Sequence, residues 1–262
     1  KQTFNGRIRY NWLPKKNTTH SLDLLNLQYV RNLNPGNYFN VYQNSFSRLE
    51  SIAVNSYPTP DEYLIQNSNG DDFLNINSAD DFIFLVSSDT AFQNSNPNDY
   101  ESISNIRERK NRLTQDNLIL ASNFNLVKDN RENVFDTNFS LFRLKVELAG
   151  NLLNAASDFI GLDRNENVEI EINNVAFSQY IKTEIDYIKL WNLGRNNVLA
   201  LRVFTGIALP LGNSSSIPFS KSFFAGGSND NRAWTAYNLG PGRSDNNNEF
   251  NEANFKIAFS LE

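Results

Sequence analysis

The sequence predicts an all-β chain that forms the interior portion of an antiparallel, up-and-down transmembrane β-barrel. Two observations predict this fold class. Apolar and polar residues alternate with period two along seven stretches, and the connections between these stretches alternate between short and long. Period two places successive side chains on opposite faces of a strand. A strand that crosses a bilayer at a tilt needs roughly 9–11 residues, which is about the length of each stretch.

The alternation is clearest in residues 142–148 (FRLKVEL), where every second residue is apolar. Residues 180–188, 198–209, 4–12 and 254–262 repeat the pattern. One face of these stretches carries charge, and a transmembrane barrel would turn that face toward a wet lumen. The predicted lumen-facing charges are Arg143, Lys145, Glu147, Lys182, Glu184, Asp186 and Arg202.

Two further stretches alternate less regularly. Residues 118–127 alternate loosely, and residues 22–30 change phase at Leu24 and Leu25. A change of phase within a strand is typical of a β-bulge, which adds one residue to one side of a strand pair. With these two stretches the chain is expected to contain seven strands.

The connections decide between a barrel and a soluble two-sheet sandwich, because the alternation alone fits both. Short connections at 13–20, 128–138 and 192–197 alternate with long ones at 31–117, 149–175 and 210–253. Outer-membrane barrels have short periplasmic turns and long extracellular loops, whereas a Greek-key sandwich gives no reason for this rhythm. We therefore expect the long connections to be extracellular loops of a single barrel domain that spans residues 1–262.

The number of strands predicts that the chain is one part of a larger barrel. The smallest membrane barrels have eight strands, and bacterial single-chain barrels have even numbers. Seven strands do not meet either condition. We therefore expect further strands on both sides of these residues.

Composition argues against several classes of function. The net charge of −5 and the pI of about 5.1 give no support to nucleic-acid binding. The chain has no Cys, and its one His, His20, is expected to be a solvated residue at a strand end. No Gly-x-Ser-x-Gly elbow is present. The Asn/Asp clusters at 67–72 and 244–249 lack the spacing of a calcium-binding loop. We predict no enzyme, no cofactor and no metal site.

The first long connection contains one helix signal. Residues 96–113 show a loose apolar stripe made by Ile103, Ile106 and Leu113, with Asp99 as a candidate cap. The basic residues between 107 and 112 have two explanations: contact with acidic lipid or a partner, or a solvated helix face. The sequence favours the solvated face.

The last long connection carries the most specific motif. Residues 210–242 read PLGNSSSIPFSKSFFAGGSNDNRAWTAYNLGPG. A Pro-Phe pair precedes an aromatic pair, a Gly-Gly pair, an Arg with a nearby aromatic, and a closing Leu-Gly-Pro. The residues of interest are Phe223, Phe224, Gly226, Gly227, Arg232, Trp234, Gly240 and Pro241. In order and spacing this segment resembles the sixth extracellular loop of the BamA/TamA outer-membrane assembly family.

The resemblance extends more loosely to most of the chain. Residues 142–153 (FRLKVELAGNLL) and 178–194 (SQYIKTEIDYIKLWNLG) resemble the TamA-like branch found in Bacteroidota. It implies a sixteen-stranded barrel, periplasmic POTRA domains before it, and a loop between the eleventh and twelfth strands that folds into the lumen. In the family the loop arginine pairs with acidic residues on later strands, so the partner of Arg232 is expected beyond residue 262.

One residue departs from the family pattern. Ala233 stands where the family has glycine after the arginine. If that position needs a positive φ, alanine is unfavourable, and the loop then takes a different local path or has a relaxed function.

The resemblance implies a bacterial outer-membrane protein that helps insert or fold other outer-membrane proteins. Its partners would be the outer-membrane bilayer, nascent outer-membrane proteins and surface lipoproteins or other envelope subunits. Two alternatives remain open: a passive pore or transporter, and a structural barrel subunit of an envelope complex. A loop that only plugs and stabilises the barrel fits the same motif.

Overall fold

The computed structural model describes residues 2–162, 164, 169–173, 175–195, 197–228, 230–235 and 252–262. Its strands are β1 (Gln2–Lys15), β2 (Thr18–Arg31), β3 (Leu64–Gln66), β4 (Asp72–Leu74), β5 (Asn117–Asp129), β6 (Ser140–Ala149), β7 (Glu171–Ile172), β8 (Val175–Ala176), β9 (Tyr180–Gly194), β10 (Asn197–Pro210), β11 (Phe223–Phe224), β12 (Glu252–Ala253) and β13 (Phe255–Leu261). Its α-helices are α1 (Tyr38–Val41), α2 (Gln43–Asn55), α3 (Ala79–Ser87), α4 (Thr90–Ser95), α5 (Pro97–Thr114) and α6 (Asn151–Ile160). Among these residues no helix is both long and apolar enough to cross a membrane.

The seven long strands form one antiparallel sheet in the order β1-β2-β5-β6-β9-β10-β13. Each strand pairs with the next long strand along the chain, which is the up-and-down topology expected from the sequence. The seven predicted stretches and the seven strands coincide, so the predicted fold class is confirmed at the level of strand number, direction and order.

The two faces of the sheet differ in chemistry as the alternation predicts. Apolar side chains on one face remain exposed by between 42% and 67% at Phe4, Ile8, Tyr10, Ile207, Leu209, Phe255, Ile257, Phe259 and Leu261. An apolar surface of this extent is typical of contact with lipid or protein. The opposite face carries ion pairs and the packed core of the sheet.

The predicted irregularity in β2 is confirmed. Ile8 pairs with Leu25 and Arg9 pairs with Asp23, so Leu24 has no partner on β1. On the other side the register with β5 shifts between Asp23 and Asn26. The extra residue restores Asp23 to the polar face, where Nη2 of Arg9 donates to its Oδ2 at 2.9 Å.

The short and long connections lie at opposite ends of the strands, because the strands alternate in direction. One end carries the tight links between β1 and β2, between β5 and β6, and between β9 and β10. The other end carries all three long connections. The side of a membrane on which each end lies remains a prediction.

The first long connection is a folded unit, which we call the insertion (residues 32–116). The sequence predicts a long loop with one helix here, but the structure has five α-helices and the β3–β4 hairpin. On α2, α3 and α5, buried residues spaced three or four apart form one inward face. The insertion core contains Leu49, Ile52, Leu74, Phe82, Ile83, Val86, Ile103 and Ile106, together with other apolar residues. Three of the helices that the sequence did not predict, α1, α3 and α4, have 4, 9 and 6 residues and so give too few turns for a clear helical period.

The predicted helix of the insertion is confirmed as α5, and the predicted stripe of Ile103, Ile106 and Leu113 is buried. Asp99 is not its cap. The N-cap residue is Asn96, and Asp99 accepts a hydrogen bond from Nη2 of Arg48 at 2.9 Å instead.

The expectation of a solvated basic face on α5 is wrong for part of the run. Lys110 pairs with Asp80, and Arg109 lies over the ring of Tyr42 at 5.4 Å. Arg112 contacts residues of the third long connection. Intramolecular partners therefore occupy these cations, and only Arg107 of the basic residues on α5 is exposed.

Three smaller expectations have mixed outcomes. The cluster at 67–72 forms the turn between β3 and β4, where the side chain of Asn67 binds the amides of Asn69 and Asp71. The cluster at 244–249 lies outside the described residues. His20 lies near the start of β2, as expected for a strand end, but it is only partly exposed and packs edge-on against Trp12 at 5.1 Å. The second long connection contains α6, a helix that the sequence pattern did not predict.

Because the insertion has its own core, a substitution in that core is expected to destabilise the insertion and to leave the sheet unaffected. Ile106→Ala is expected to lower the free energy of opening of the insertion by about 2–5 kcal/mol, because it leaves a cavity at a fully buried site. Amide exchange in α2 and α3 should accelerate while exchange in the seven long strands stays unchanged. Val41→Ala is the control, since Val41 is 64% exposed and should change stability by less than about 0.5 kcal/mol. Equal acceleration in the sheet would contradict an independent core.

Candidate functional site

The polar face of β6, β9 and β10 brings all seven predicted charged residues onto one surface. Cross-strand register aligns Arg143 with Asp186, Lys145 with Glu184, and Glu147 with Lys182. Directly opposed residues on one face of an antiparallel pair interact closely, so each cation meets an anion. The charges along β6 and β9 are therefore complementary in this register.

Asp186 is the centre of the first group of ion pairs. It is nearly buried and accepts hydrogen bonds from Nη1 of Arg143 at 3.1 Å and from Nε of Arg202 at 3.0 Å. Two guanidinium groups therefore share this one carboxylate. The Arg143 and Arg202 side chains remain about half exposed.

Glu147 is the centre of the second group, and its side chain is 1% exposed. Nζ of Lys221 lies 2.7 Å from its carboxylate, Nζ of Lys145 lies 3.7 Å away, and the Tyr180 hydroxyl donates to it. A buried carboxylate needs such partners, because desolvation without them is costly. Lys221 comes from the third long connection, so this ion pair attaches that connection to the face of the sheet.

We call residues 211–228 and 230–235 of this connection the folded-back segment. Nζ of Lys182 donates to the carbonyl of Lys221 at 2.8 Å and lies 4.2 Å from the centre of the Phe223 ring. Lys182 also forms an ion pair with Glu184 at 2.9 Å. One lysine of the sheet thus holds the segment by a hydrogen bond and a cation–π contact.

Phe223 enters the sheet surface above a glycine. A Cβ atom on Gly206 would lie 2.4 Å from Cζ of Phe223, so any other residue there would collide with the ring. The ring also packs at 6.1 Å against Phe204 in a T-shaped arrangement. Phe223 is 6% exposed, whereas its neighbour Phe224 is 39% exposed. Of the predicted aromatic pair, therefore, Phe223 is the anchor.

The predicted Gly-Gly pair forms the start of a tight turn. Gly226 and Gly227 have φ values of +90° and +101°, which other residues rarely adopt. A Cβ on Gly226 would lie 2.4 Å from the carbonyl oxygen of Thr235, and the amide of Gly227 donates to the carbonyl of Trp234 at 2.8 Å. The glycines let the segment double back on itself.

Asp230 ties this turn to the sheet. Its Oδ2 accepts hydrogen bonds from the amide of Gly226 and from Nζ of Lys256, both at 2.8 Å. Nζ of Lys256 also donates to the carbonyl of Phe224 at 2.7 Å. Burial opposes ionisation of Asp230, but the bonds from Lys256 and Gly226 prevail and hold the pKa of its carboxyl below its ordinary range.

Arg232 and Trp234 lie at the exposed tip of the turn. Nε of Arg232 donates to the carbonyl of Ser228 at 3.3 Å. Within the described residues it forms no ion pair with Glu184 or Asp186. Arg232 does line a concavity of about 1070 Å³ that Arg202, Phe204 and Lys256 also border. Gly240 and Pro241 lie outside the described residues.

Ala233 does not need to be glycine in this structure. Among the described residues other than glycine, positive φ values occur only at Asn173 and Arg195. The backbone at Ala233 therefore carries no strain from its side chain, and the alanine is compatible with the local path.

Several residues of this site escaped sequence reasoning. Lys221, Asp230 and Lys256 make the contacts that place the segment, yet each is a common polar residue in a polar stretch. Gly206 did carry a signal, since a glycine inside a strand often marks close approach by another part of the chain. The signal did not say which part approaches.

The sequence of this chain is similar to that of a known domain family. Residues 3–262 match the model of the Omp85 superfamily domain. The crystal structure of BamA from Haemophilus ducreyi lacking POTRA domains 1–3 aligns with 91% of this chain at 11% sequence identity and a TM-score of 0.44. The aligned part spans 31% of that BamA chain. The comparison with curated proteins finds no significant match.

The effects of substituting Lys221 and Glu147 are expected to depend on each other, because the two side chains form an ion pair. Lys221→Met should weaken attachment of the folded-back segment by about 3–5 kcal/mol, since it leaves a buried carboxylate with only the more distant Lys145 and a hydroxyl. Adding Glu147→Gln should recover most of this loss, because the uncompensated charge is then gone. Amide exchange of residues 219–224 measures both effects. Strict additivity of the two substitutions would contradict the ion pair.

The lowered pKa of Asp230 predicts an acid-sensitive turn. Its contact contributes stability above the unfolded pKa of about 4 and loses it as the pH falls through the lower folded value. Tryptophan emission is compared between the parent chain and Asp230→Asn from pH 7 to pH 3. Because Trp12 and Trp191 also emit, the difference between the two chains reports on the turn at Trp234. The parent should change below about pH 4, and Asp230→Asn should lack that step. An identical acid transition in the variant would assign it to another group.

Proposed function

Because the chain belongs to the Omp85 superfamily, we propose that it is part of an outer-membrane protein that helps insert or fold other outer-membrane β-barrels. In this proposal the seven-stranded sheet is a section of the barrel wall. Its apolar face meets lipid, its polar face lines the lumen, and the three long connections are extracellular. The third of them, between β10 and β13, enters the lumen.

The observation that carries the proposal is the attachment of the folded-back segment to the polar face. Lys221 neutralises the buried Glu147, Phe223 fills the space above Gly206, and Asp230 binds Lys256. A connection that served only to join two strands would not need anchors on β6, β10 and β13. The segment is therefore a built component of the lumen wall, and it presents the Arg232 turn to the concavity beside it.

The role proposed for Arg232 follows from its placement and from the family resemblance of its motif. Its guanidinium group is exposed at the tip of a turn whose base is fixed by Gly226, Gly227 and Asp230. A planar guanidinium held in this way is suited to bidentate pairing with a carboxylate. We propose that the carboxylate belongs to barrel strands other than the seven described here, and that the barrel has sixteen strands and belongs to the TamA-like branch.

The proposed mechanism is physical and involves no catalytic residue. An incoming strand would pair with an unsatisfied strand edge at the barrel seam, as in β-augmentation. The folded-back segment would hold the wall formed by β6, β9, β10 and β13 in one arrangement while the seam opens. The clients would be nascent outer-membrane proteins in the bilayer.

A second candidate function is a structural barrel subunit of an envelope complex. The insertion favours it, because a separate folded unit with its own core offers a surface for surface lipoproteins or other envelope subunits. A passive pore or transporter is favoured only by the charged character of the polar face.

The first test follows the folding rate of an unrelated outer-membrane barrel in liposomes that contain the full-length protein. The parent protein is expected to accelerate folding, and Arg232→Glu to abolish most of the acceleration while its own barrel stays folded. Arg195→Glu is the matched control, since Arg195 is exposed in the β9–β10 turn at the opposite end of the strands. No acceleration by the parent protein would reject the insertase function and favour the structural subunit.

A further inference from the structure

The insertion contacts the folded-back segment through one buried arginine. Nη1 of Arg112 donates to Oε1 of Glu252 at 2.9 Å, and Nη2 donates to the carbonyl of Ile217 at 3.0 Å and to Oγ of Ser222 at 2.9 Å. The Arg112 side chain is 11% exposed and that of Glu252 is 2% exposed. These contacts join residues more than 100 positions apart in the sequence.

Arg112 contacts both ends of the third long connection. Ile217 and Ser222 belong to the part that leaves β10, whereas Glu252 belongs to the part that returns to β13. The short β11–β12 pair joins these two parts, since Phe224 pairs with Glu252 and Phe223 with Ala253. The guanidinium therefore bridges the base of the connection at the point where its two arms meet.

The insertion holds Arg112 in a fixed place relative to the sheet. The backbone amide of Asn32 donates to Oδ1 of Asp116 at 2.7 Å, and its side-chain amide donates to the carbonyl of Thr114 at 2.9 Å. These bonds close the neck where the insertion leaves β2 and returns to β5. Arg112 lies in the last turn of α5, just before that neck, so the neck fixes its position relative to β2 and β5.

Apolar packing supports the same contact. Phe219 belongs to the folded-back segment, yet its ring packs against the insertion core. Two residues later Lys221 turns the other way and binds Glu147 on the sheet. The segment is thus gripped between the insertion on one side and the polar face on the other.

We infer that the insertion is a clamp for the folded-back segment and that Arg112 is its positioning residue. The inference rests on the proposed function only for its consequence, since a displaced segment would no longer present the Arg232 turn correctly. Arg112 binds a buried carboxylate, a carbonyl and a hydroxyl at once. Its removal takes a hydrogen-bond partner from each of these groups, which is costly at a buried site. The segment would then keep its contacts with the sheet and the packing of Phe219 against the insertion core.

The test uses the full-length protein reconstituted in liposomes. It compares Arg112→Glu, Glu252→Arg and the double variant that carries both substitutions. Arg112→Glu should accelerate amide exchange of residues 217–224 by about 100-fold, because it places two carboxylates together in a buried site. The double variant should return the amide-exchange rate of these residues to within a few-fold of the parent rate. Arg107→Glu is the control on the same helix, since Arg107 is exposed, and should leave the rate unchanged.

A milder variant guards against loss of the fold. Exchange in α2 and α3 reports whether the insertion itself stays folded, and Arg112→Gln removes the charge without adding a repulsion. If residues 217–224 exchange at the parent rate in Arg112→Gln and Arg112→Glu while the insertion is folded, the clamp is overturned.

The folding rate of a client barrel separates this inference from the proposed function. Faster amide exchange in Arg112→Glu that is reversed in the double variant supports the clamp. This holds even if no variant alters client folding, and in that case only the insertase function is rejected. Loss of client folding in Arg232→Glu, with no change of exchange in the Arg112 variants, overturns the clamp and leaves the proposed function standing.

Discussion

A buried carboxylate on the polar face of the sheet determines how the rest of this structure is arranged. Glu147 lies on β6, where the alternation of the strand turns it away from the apolar face. At 1% exposure it cannot be satisfied by water, so it requires a cation and a hydroxyl from the protein. Tyr180 and Lys145 come from the sheet, but the nearest cation, Lys221, comes from a connection. The wall of the sheet and the folded-back segment therefore depend on each other.

The polar face fits the segment at several places, and each uses different chemistry. The Lys221 ion pair is electrostatic, the Phe223 contact with Gly206 depends on shape, and the bonds from Asp230 to Lys256 and Gly226 depend on charge and backbone geometry. Because these anchors lie on β6, β10 and β13, the segment spans several strands. Such cross-strand attachment suits a component that must remain in place while another part of a barrel moves, as the proposed function requires.

The insertion adds a second support to the same segment. Its core is independent of the sheet, but its neck is closed by Asn32 and Asp116, which fixes α5 beside the strand ends. Arg112 and Phe219 then connect that core to the base of the third connection. Because this connection forms its own core and is closed at its neck, it holds Arg112 at a defined place beside the strand ends.

The sequence by itself determined the sheet. Strand number, order, the two faces and the bulge at Leu24 follow from period two, because each strand carries its own pattern and pairs with its neighbour along the chain. It also indicated the loop motif, including the glycines at 226 and 227. Only the tertiary structure decided where that motif attaches. Lys221, Gly206 and Arg112 act through contacts between distant parts of the chain, and no local period encodes such contacts. The helices of the insertion other than α5 were not predicted for the same reason, since a shared core stabilises them and not their individual sequences.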